Sequence, residues 1–335
     1  MMPEVAVVLV LSGGNALGAF QAGLYEALHA HDLEPEWIVG TSVGAINAAL
    51  IAGSPAERRI GTLRSFWQSH IVGPLDLTHS WLSPEMETAR RSTAAAWTAV
   101  AGRYGVFGPI LSAQLPGFRD AASIYETDQL AATLEWLVDF DRLNNGACRF
   151  TATAVDVTNG EDVVFDTARQ SVRSEHIRAS AALPVLFPPV EVDGRWLVDG
   201  GLSANLPLDP VLADPPSRPT LCIAVDLLPL SGERPRTLGE AAGRMQDLMF
   251  AAQSRRSIAR WQAAYEGRTD HRVTLVRIPY ADQGDEIAGK ALDFSGPTIA
   301  KRWNAGHRAG VRLVDAINAG AIAVGTVGLN ATVVT

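Results

Sequence analysis

Little cysteine, little lysine and no long hydrophobic run are the first features of this chain, and each shortage argues against a class of protein. Only two of the 335 residues are cysteines, Cys148 and Cys222, and both lie in apolar, strand-like runs. We therefore expect buried, reduced thiols and a cytoplasmic location rather than a disulfide framework. Arg and Lys total 28 against 36 acidic residues, the net charge is −8, and no basic cluster occurs. Because phosphate neutralisation requires such clusters, we expect no nucleic acid partner.

The apolar segments near both ends are too short or too interrupted to cross a bilayer. Residues 5–11 are far fewer than the roughly 20 that a membrane helix needs, and no basic segment of a signal peptide precedes them. The small apolar tail, residues 319–335, is broken by Gly and Asn. We expect neither export nor a spanning helix, and residues 5–11 fit a fully buried parallel strand.

The length and the hydrophobic content of 47% allow one large domain, or one domain with an appendage. A stretch rich in Pro, Gly and charge at residues 229–240 predicts a boundary between residues 1–230 and residues 231–335. Beyond this boundary, the sequence predicts a strand over residues 273–278 and a helix over residues 298–318.

A longer helix is predicted over residues 238–266, and it carries an apolar stripe. We expect the stripe to pack into the core, and contact with a membrane or a partner protein is the alternative. The residues of the stripe are Met245, Leu248, Met249 and Ala252.

A serine between two glycines stands where a buried strand meets a helix. Residues 37–39 predict the strand and residues 43–52 the helix, so Ser42 lies at their junction. Gly40 and Gly44 would let the two elements approach the serine closely, as in a nucleophile elbow. The hydroxyl would then lie at a helix N-terminus, where developing negative charge is favoured. The alternative is a plain turn in which the serine caps the helix.

A glycine-rich turn, residues 13–18, follows the first strand and opens a helix with Phe20, Leu24 and Leu28 on one face. Such a turn places several backbone N–H groups around an anion. The anion could be a dinucleotide pyrophosphate or the oxyanion of an acyl-transfer intermediate. The dinucleotide fingerprint needs glycine where Asn15 stands, which favours the oxyanion.

An acidic residue followed by two glycines ends a predicted hairpin. The strands, residues 190–192 and 196–198, are joined by a turn at residues 193–194. The second strand leads directly to Asp199, Gly200 and Gly201. This pattern at a strand end is typical of a functional site, although taken alone it would be a turn.

Residues 54–123 are rich in aromatic residues and prolines, which suits a lid or the wall of an apolar pocket. Within them, residues 58–69 have the spacing of an amphipathic helix. Ordinary helical packing over the sheet is the alternative. The aromatic residues and prolines in question are Pro74, Trp81, Pro84, Trp97, Tyr104, Phe107, Pro109, Pro116 and Phe118.

Three glycine-marked loops in this order resemble the patatin-like phospholipase family. They read GGNALG at 13–18, GTSVG at 40–44 and DGG at 199–201, and the resemblance covers residues 5–230. The segments ALGAFQAGLYEAL, ASAALPVLFPPV and NLPL are also similar to that family. One strand-helix unit precedes the serine, whereas several precede it in an α/β-hydrolase. The resemblance implies an α/β fold with three layers, α/β/α, a mainly parallel central sheet and a mostly helical C-terminal extension at 231–335.

The resemblance also implies a catalytic dyad that needs no metal or organic cofactor. Ser42 would attack a lipid or another acyl ester, and Asp199 would take the serine proton directly. A carboxylate can do so where a dry site raises its proton affinity. The backbone N–H groups expected to hold the oxyanion belong to Gly13, Gly14, Asn15 and Val43. The glycines expected to support the motifs are Gly18, Gly40, Gly44, Gly200 and Gly201.

Two positions depart from the family's commoner pattern. Asn15 replaces a third glycine, and asparagine tolerates left-handed backbone better than most residues. Leu17 replaces a basic residue, which removes a cation near the anion site and with it a reason to expect preference for a phosphate headgroup.

Several alternatives stay open at the level of sequence. A Ser-Asp-His triad would use His271 or His307, although neither lies in a glycine-marked turn. The same dyad would serve a thioesterase or a depolymerase of hydroxyalkanoate esters. A non-catalytic acyl-binding or scaffold protein is disfavoured because Ser42, Asp199 and the loops are all present. Peripheral membrane contact is compatible with a lipid substrate, and the sequence does not indicate an oligomeric state.

Overall fold

The computed structural model describes residues 5–68, 83–110, 122–281 and 283–335. Eleven strands occur in these residues: β1 (Ala6–Leu11), β2 (Trp37–Gly40), β3 (Gly108–Pro109), β4 (Tyr125–Glu126), β5 (Arg149–Asp156), β6 (Asp162–Asp166), β7 (Val190–Val192), β8 (Arg195–Asp199), β9 (Thr220–Asp226), β10 (Arg272–Pro279) and β11 (Gly328–Val333). Nine of the strands within these ranges form one sheet in the order β11-β10-β9-β1-β2-β5-β8-β7, with β6 paired to β5. The remaining two, β3 and β4, form a separate antiparallel ribbon.

The helices of the described residues cover both faces of this sheet. They are α1 (Ala19–Ala30), α2 (Val43–Ala52), α3 (Arg59–Gln68), α4 (Pro84–Ala101), α5 (Asp128–Leu137), α6 (Phe140–Asn145), α7 (Ser174–Ser180), α8 (Gly201–Ala204), α9 (Asp209–Ala213), α10 (Leu238–Ala264) and α11 (Gly296–Asn318). Single turns of 3-10 helix occur at Asn15–Gly18, Ala56–Arg58 and Lys290–Leu292.

Alternation along the strands divides the core into two layers. On β1, Leu9 and Leu11 join the cluster that contains α1, α2 and α11. Val8 and Val10 point to the opposite face and pack against α9 and the last turns of α10. Buried residues on both faces account for the continuous apolar runs of the central strands. The predicted three-layer α/β/α fold is therefore confirmed.

The strands at the centre of the sheet are parallel and those on one side are antiparallel, which agrees with the predicted mainly parallel sheet. Strands β5, β2, β1, β9, β10 and β11 are parallel neighbours. Strand β8 runs antiparallel to both β5 and β7. Gly40, the last residue of β2, pairs with Ala152, and Asp199 pairs with Ala154 two residues further along β5. The antiparallel β8 therefore ends at about the level where the chain leaves β2 for Ser42.

The C-terminal part of the chain continues this sheet. Strands β10 and β11 extend it beyond β9. The tail, which was expected only to be too interrupted by Gly and Asn for a membrane anchor, provides the edge strand β11. Helix α11 crosses α1 at very short range. A Cβ at Gly23 would lie 1.9 Å from the Trp303 carbonyl oxygen, and a Cβ at Gly306 would lie 1.9 Å from that of Phe20. Both contacts need glycine, because backbone atoms cannot move aside.

One expectation about apolar residues needs correction. The predicted core stripe of α10 is wrong for three of its members, because Met245, Leu248 and Met249 are 60%, 44% and 52% exposed. Ala252 is half-buried. The helix lies with another face toward the protein, where Gly239, Ala242, Gly243, Gln246 and Phe250 line a cavity.

The aromatic segment is only partly described, and it contains the 18-residue helix α4, which the sequence spacing did not reveal. Pro84 begins that helix, and Pro109 lies in β3. Trp97 and Tyr104 are exposed, whereas Phe107 is buried. The predictions for Pro74, Trp81, Pro116 and Phe118 lie outside the described residues.

The expectation of buried thiols is met. Both Cys148 and Cys222 are buried and unpaired. Within the described ranges, no helix has the length and apolar character needed to cross a membrane.

Candidate active site

Ser42 occupies a strained turn between β2 and α2. Its φ of 57° and ψ of −127° are unusual for a residue other than glycine. The backbone N–H of Ser42 donates to both the carbonyl oxygen and the hydroxyl of Ser180, at 3.1 and 3.2 Å. These bonds fix the turn from the end of α7. The geometry is the strand-turn-helix arrangement predicted for a nucleophile elbow.

The two glycines beside the serine are required by close packing of backbone on backbone. A Cβ at Gly40 would lie 2.4 Å from the carbonyl carbon and oxygen of Gly44. A Cβ at Gly44 would lie 2.2 Å from the carbonyl oxygen of Leu11, at the end of β1. Strand β2 and helix α2 therefore touch each other across the elbow, and α2 also touches the end of β1, so a side chain at either glycine would move Ser42.

The other predicted supporting glycines also lie at tight contacts. A Cβ added at Gly18 would lie 2.7 Å from Val43 Cγ2. At Gly200 it would lie 2.4 Å from the Thr153 carbonyl oxygen, and at Gly201 2.9 Å from Asn205 Oδ1.

Asp199 is brought to Ser42 although 157 positions separate them in the sequence. Its side chain is 3% exposed and accepts a hydrogen bond at 2.7 Å from the backbone N–H of Gly201, and the neighbouring Ser42 hydroxyl favours its charged form. Burial raises the pKa of Asp199 from 3.8 to about 6, and the two donors offset part of that rise. The carboxylate is thus a much better proton acceptor near neutral pH than an exposed aspartate.

The glycine-rich loop lies beside this pair. A Cβ at Gly13 would lie only 3.1 Å from Ser42 Cβ. The Gly13 N–H, which was expected to hold the oxyanion, instead donates to the Asn205 carbonyl oxygen at 3.1 Å. The expectation for Gly13 as a free donor therefore needs correction. Within the described chain, the N–H groups of Gly14, Asn15 and Val43 donate to no other residue, so they remain available to an anion.

Asn15 and Leu17, the two departures from the family's commoner pattern, have different surroundings. Asn15 has φ of 51°, the left-handed conformation that asparagine tolerates. Leu17 is fully buried in the core cluster and does not line the cavity. The position of the missing cation therefore does not face the cavity.

Two residues that the sequence did not assign hold the loops together. Asn205 Nδ2 donates to the Gly13 carbonyl oxygen at 3.3 Å, and its Oδ1 lies next to Gly201. Asn205 thus connects the first and third loops, while Ser180 anchors the second. Both residues lie in segments that carry the family resemblance, but their contacts are too distant in sequence to be inferred from it.

Ser42 and Asp199 open into a mostly apolar cavity of about 270 Å³. Its walls come from α2, α3, α10 and the chain around residues 103–107, 183–187 and 288–294. The inclusion of Phe107 confirms that the aromatic segment contributes to a pocket wall. Among the described residues, Arg103 and Asp199 are the charged side chains of the lining. An aliphatic chain fits this environment better than a polar substrate does.

The two histidines considered for a triad are elsewhere. His271 precedes β10 and pairs with Asp270 at 3.0 Å, and His307 lies on α11. The cavity lining, as far as the chain is described, includes no histidine; His70 and His79 lie outside the described residues. Among the residues the structure describes, no group of three or more His, Cys, Asp or Glu side chains could hold a metal ion.

The site therefore defines a class of protein before any comparison is made. A hydroxyl on a strained turn, a buried carboxylate beside it, free backbone donors and an apolar cavity together suit attack on an acyl carbonyl.

Comparison with known proteins gives the family. The sequence model of the family described as patatin-like phospholipase matches residues 9–212, and a second one, described as patatin phospholipase, matches residues 236–317. The chain belongs to the patatin-like phospholipase family. The expected enzyme class, an ester hydrolase of the patatin-like phospholipase type, is confirmed at this level.

Similar curated proteins come from bacteria and a yeast. The uncharacterized protein YqhO of Bacillus subtilis is 28% identical over 266 residues, which are 75% of this chain and 82% of that protein. The uncharacterized NTE family protein Rv1063c of Mycobacterium tuberculosis is 26% identical over 61% of this chain and 45% of its own length. Lysophospholipase NTE1 of Scheffersomyces stipitis is 24% identical over 62% of this chain, but only 11% of that protein is covered.

Two solved structures show limited similarity. VipD from Legionella pneumophila has a TM-score of 0.48 at 14% identity, covering 94% of this chain and 67% of that one. The type III effector protein ExoU has a TM-score of 0.38 at 17% identity, covering 92% and 52%. The fold assignment therefore depends on the sheet topology and the family match.

Proposed function

We propose that the protein hydrolyses carboxylic esters of lipids, with Ser42 as nucleophile and Asp199 as general base. The observation that carries this proposal is the position of the Ser42 hydroxyl on a strained turn beside a buried carboxylate, in the lining of one apolar cavity. A serine hydroxyl is a weak nucleophile at neutral pH, and an adjacent base is what activates it.

The reaction proceeds in two halves. Asp199 takes the Ser42 proton while Oγ attacks the ester carbonyl, and it then gives that proton to the departing alkoxide. This leaves an acyl group on Ser42 and releases an alcohol. Water then attacks the acyl group, Asp199 accepts a water proton, and its transfer back to Ser42 releases the fatty acid. No metal or organic cofactor takes part in the proposed cycle.

We assign the oxyanion to the N–H groups of Gly14, Asn15 and Val43. The free N–H of Val43 lies at the first turn of α2, whose N-terminal end also favours negative charge. Gly13 serves a different purpose in this proposal, because its N–H and carbonyl are both bonded to Asn205. Those two bonds hold the loop so that the neighbouring donors point at the reacting carbonyl.

We further infer that the enzyme works at a lipid surface. Leu238, which is 88% exposed, lies on the same face of α10 as the exposed Met245 and Met249. The face of α10 that lines the cavity is rotated from this exposed face by about 100°, the rotation of one residue along the helix. Apolar side chains exposed beside the wall of an acyl-binding cavity suit insertion into a lipid interface.

Ester hydrolysis by matched serine variants tests the proposed chemistry. Ser42→Ala should lose nearly all turnover of a p-nitrophenyl ester and of a monoacyl glycerophospholipid, with little change in melting temperature. Ser203→Ala, an exposed serine on the neighbouring α8, is the control and should retain turnover. Full activity in Ser42→Ala would refute the assignment.

A further inference from the structure

Arg103 is a cation built into the wall of the cavity. It follows α4 and is 8% exposed. Its guanidinium lies 4.5 Å from the ring centre of Phe66, 5.2 Å from that of Trp67 and 4.6 Å from that of Phe294. One nitrogen, Nη2, donates to the Phe66 carbonyl oxygen at 2.5 Å, near the C-terminal end of α3. The aromatic rings and this carbonyl hold the group in place.

The charge of Arg103 has no acidic counterpart within the described part of the chain. Other deeply buried arginines there are paired: Arg91 bonds to Asp293 at 2.9 Å, and Arg302 bonds to Glu286 at 2.8 Å. Burial lowers the pKa of Arg103 to about 9, which still leaves it protonated at neutral pH. Ring contacts and one carbonyl only partly replace the water that a guanidinium loses on burial.

We propose that Arg103 binds an anionic group of the substrate, so that the preferred ester carries a phosphate or a carboxylate as well as an acyl chain. This proposal rests on the proposed hydrolytic function, because Arg103 and Ser42 line the same cavity. An arginine presents donors that fit the oxygens of either anion. The family position that commonly holds a basic residue is Leu17 here, and Arg103 supplies the positive charge from a different element.

Matched substrate pairs test the effect of the charge on specificity. Each pair has one neutral and one anionic member: a p-nitrophenyl alkanoate with the corresponding hemiester of a dicarboxylic acid, and a monoacylglycerol with a monoacylglycerol phosphate. The first pair places the charge on the acyl chain and the second on the alcohol, so the two sources are distinguished. The measured quantity is the ratio of kcat/KM for the anionic and the neutral member, which is independent of the fraction of active protein.

Arg103→Gln should lower this ratio by about tenfold to a hundredfold for at least one pair, the usual effect of losing a hydrogen bond to a charged group. Arg103→Lys, which keeps the charge but not the planar donors, should retain more of the preference. Arg312→Gln removes an exposed positive charge on α11 and should leave the ratio unchanged. A ratio in Arg103→Gln within twofold of wild type for both pairs would overturn the proposal.

Binding to Ser42→Ala separates this proposal from the hydrolytic one. Calorimetric titration should show tighter binding of octyl phosphate or octanoate than of octanol and octanamide, and adding Arg103→Gln should remove the difference. If no ester is turned over but this difference is found, the proposed reaction fails and the anion site stands. Equal affinity of Ser42→Ala for charged and neutral ligands would overturn the anion site without any variant at Arg103.

Discussion

At the scale of single residues, the central feature is the proton affinity of Asp199. Its pKa is raised to about 6 because the carboxyl group is buried, so the folded protein binds the proton more tightly than the unfolded chain does. Protonation of Asp199 therefore stabilises the folded protein. This stabilisation is fully present below pH 3.8 and is lost as the pH rises through about 6. At neutral pH the charged form of Asp199 therefore costs stability, a cost that its proposed role as base would explain.

Asp199→Asn should separate activity from stability. We expect nearly all turnover to be lost, while the free energy of unfolding at neutral pH rises by up to about 3 kcal/mol, the equivalent of the pKa shift. In the wild type, kcat/KM should fall as the pH drops below about 6, because the base must be ionised. His271→Ala and His307→Ala serve as controls and should stay within severalfold of wild type. A pH profile governed by either histidine would favour a triad.

Asn15 allows a test of the oxyanion loop. Its φ of 51° suits asparagine and glycine but not a β-branched residue. Asn15→Gly should be tolerated, whereas Asn15→Val should lower kcat by roughly a hundredfold, as expected for loss of an oxyanion donor, with a smaller change in KM. Steady-state kinetics on a soluble chromogenic ester measures both effects. Wild-type kcat in Asn15→Val would show that the loop does not hold the oxyanion.

The sequence allowed the local geometry of the site to be predicted, but not its long-range contacts. The positions of Ser42 and Asp199 at strand ends followed from nearby glycines and apolar periodicity, which depend on a few neighbouring residues. Ser180, Asn205 and Arg103 act through contacts with distant segments. The Gly13 N–H looked like an available donor because its partner, the Asn205 carbonyl, lies on another loop.

At the scale of secondary-structure elements, α11 is held against α1 by glycines. Gly306→Ala should lower the free energy of unfolding by at least about 1 to 3 kcal/mol, the usual cost of overpacking, because its Cβ would meet the Phe20 carbonyl oxygen. Gly61→Ala is the matched control in α3, where an added Cβ has no neighbour within 4 Å. This change should stabilise the protein by about 0.5 to 1 kcal/mol. Thermal unfolding measures both changes, and an equal change in stability for Gly306→Ala and Gly61→Ala would contradict the packing argument.

The exposed face of α10 gives a second prediction at this scale. Combined replacement of Leu238, Met245 and Met249 by Gln should weaken binding to phospholipid vesicles at least about tenfold. The native apolar side chains gain free energy when they move from water into the lipid interface, and Gln does not. Val327→Gln alters another exposed apolar residue and should not weaken binding. Vesicle co-sedimentation measures the effect, and unchanged binding of the triple variant would exclude this face as the membrane contact.

Apolar patterns in the sequence predicted largely buried elements such as β1, α1 and α2. They did not predict α4, which has only four buried residues, two of them arginines. They also did not predict β11, since the four residues Asn330–Val333 are exposed at the sheet edge. For α10, the stripe of Met and Leu had the spacing of a buried face, but residues on the adjacent face of the helix, such as Gly243 and Phe250, face the protein.

At the scale of the whole molecule, the sheet determines where the three glycine loops meet. The order of the loops in the sequence identified the family, and the fold class followed from it. The strand order did not follow, because pairing such as β1 with β9 joins segments more than 200 residues apart. The linker at residues 229–240 also resembles a domain boundary by composition, yet the chain beyond it returns to the same sheet as β10 and β11.

Covalent labelling of the folded protein with a fluorophosphonate tests the account most directly. We predict that one label attaches to Ser42, that Ser42→Ala is not labelled, and that Asp199→Asn is labelled far more slowly than wild type. Mass spectrometry of the digested protein locates the label, and its rate is followed by intact mass. Labelling of a different serine, or an undiminished rate in Asp199→Asn, would contradict the proposed dyad.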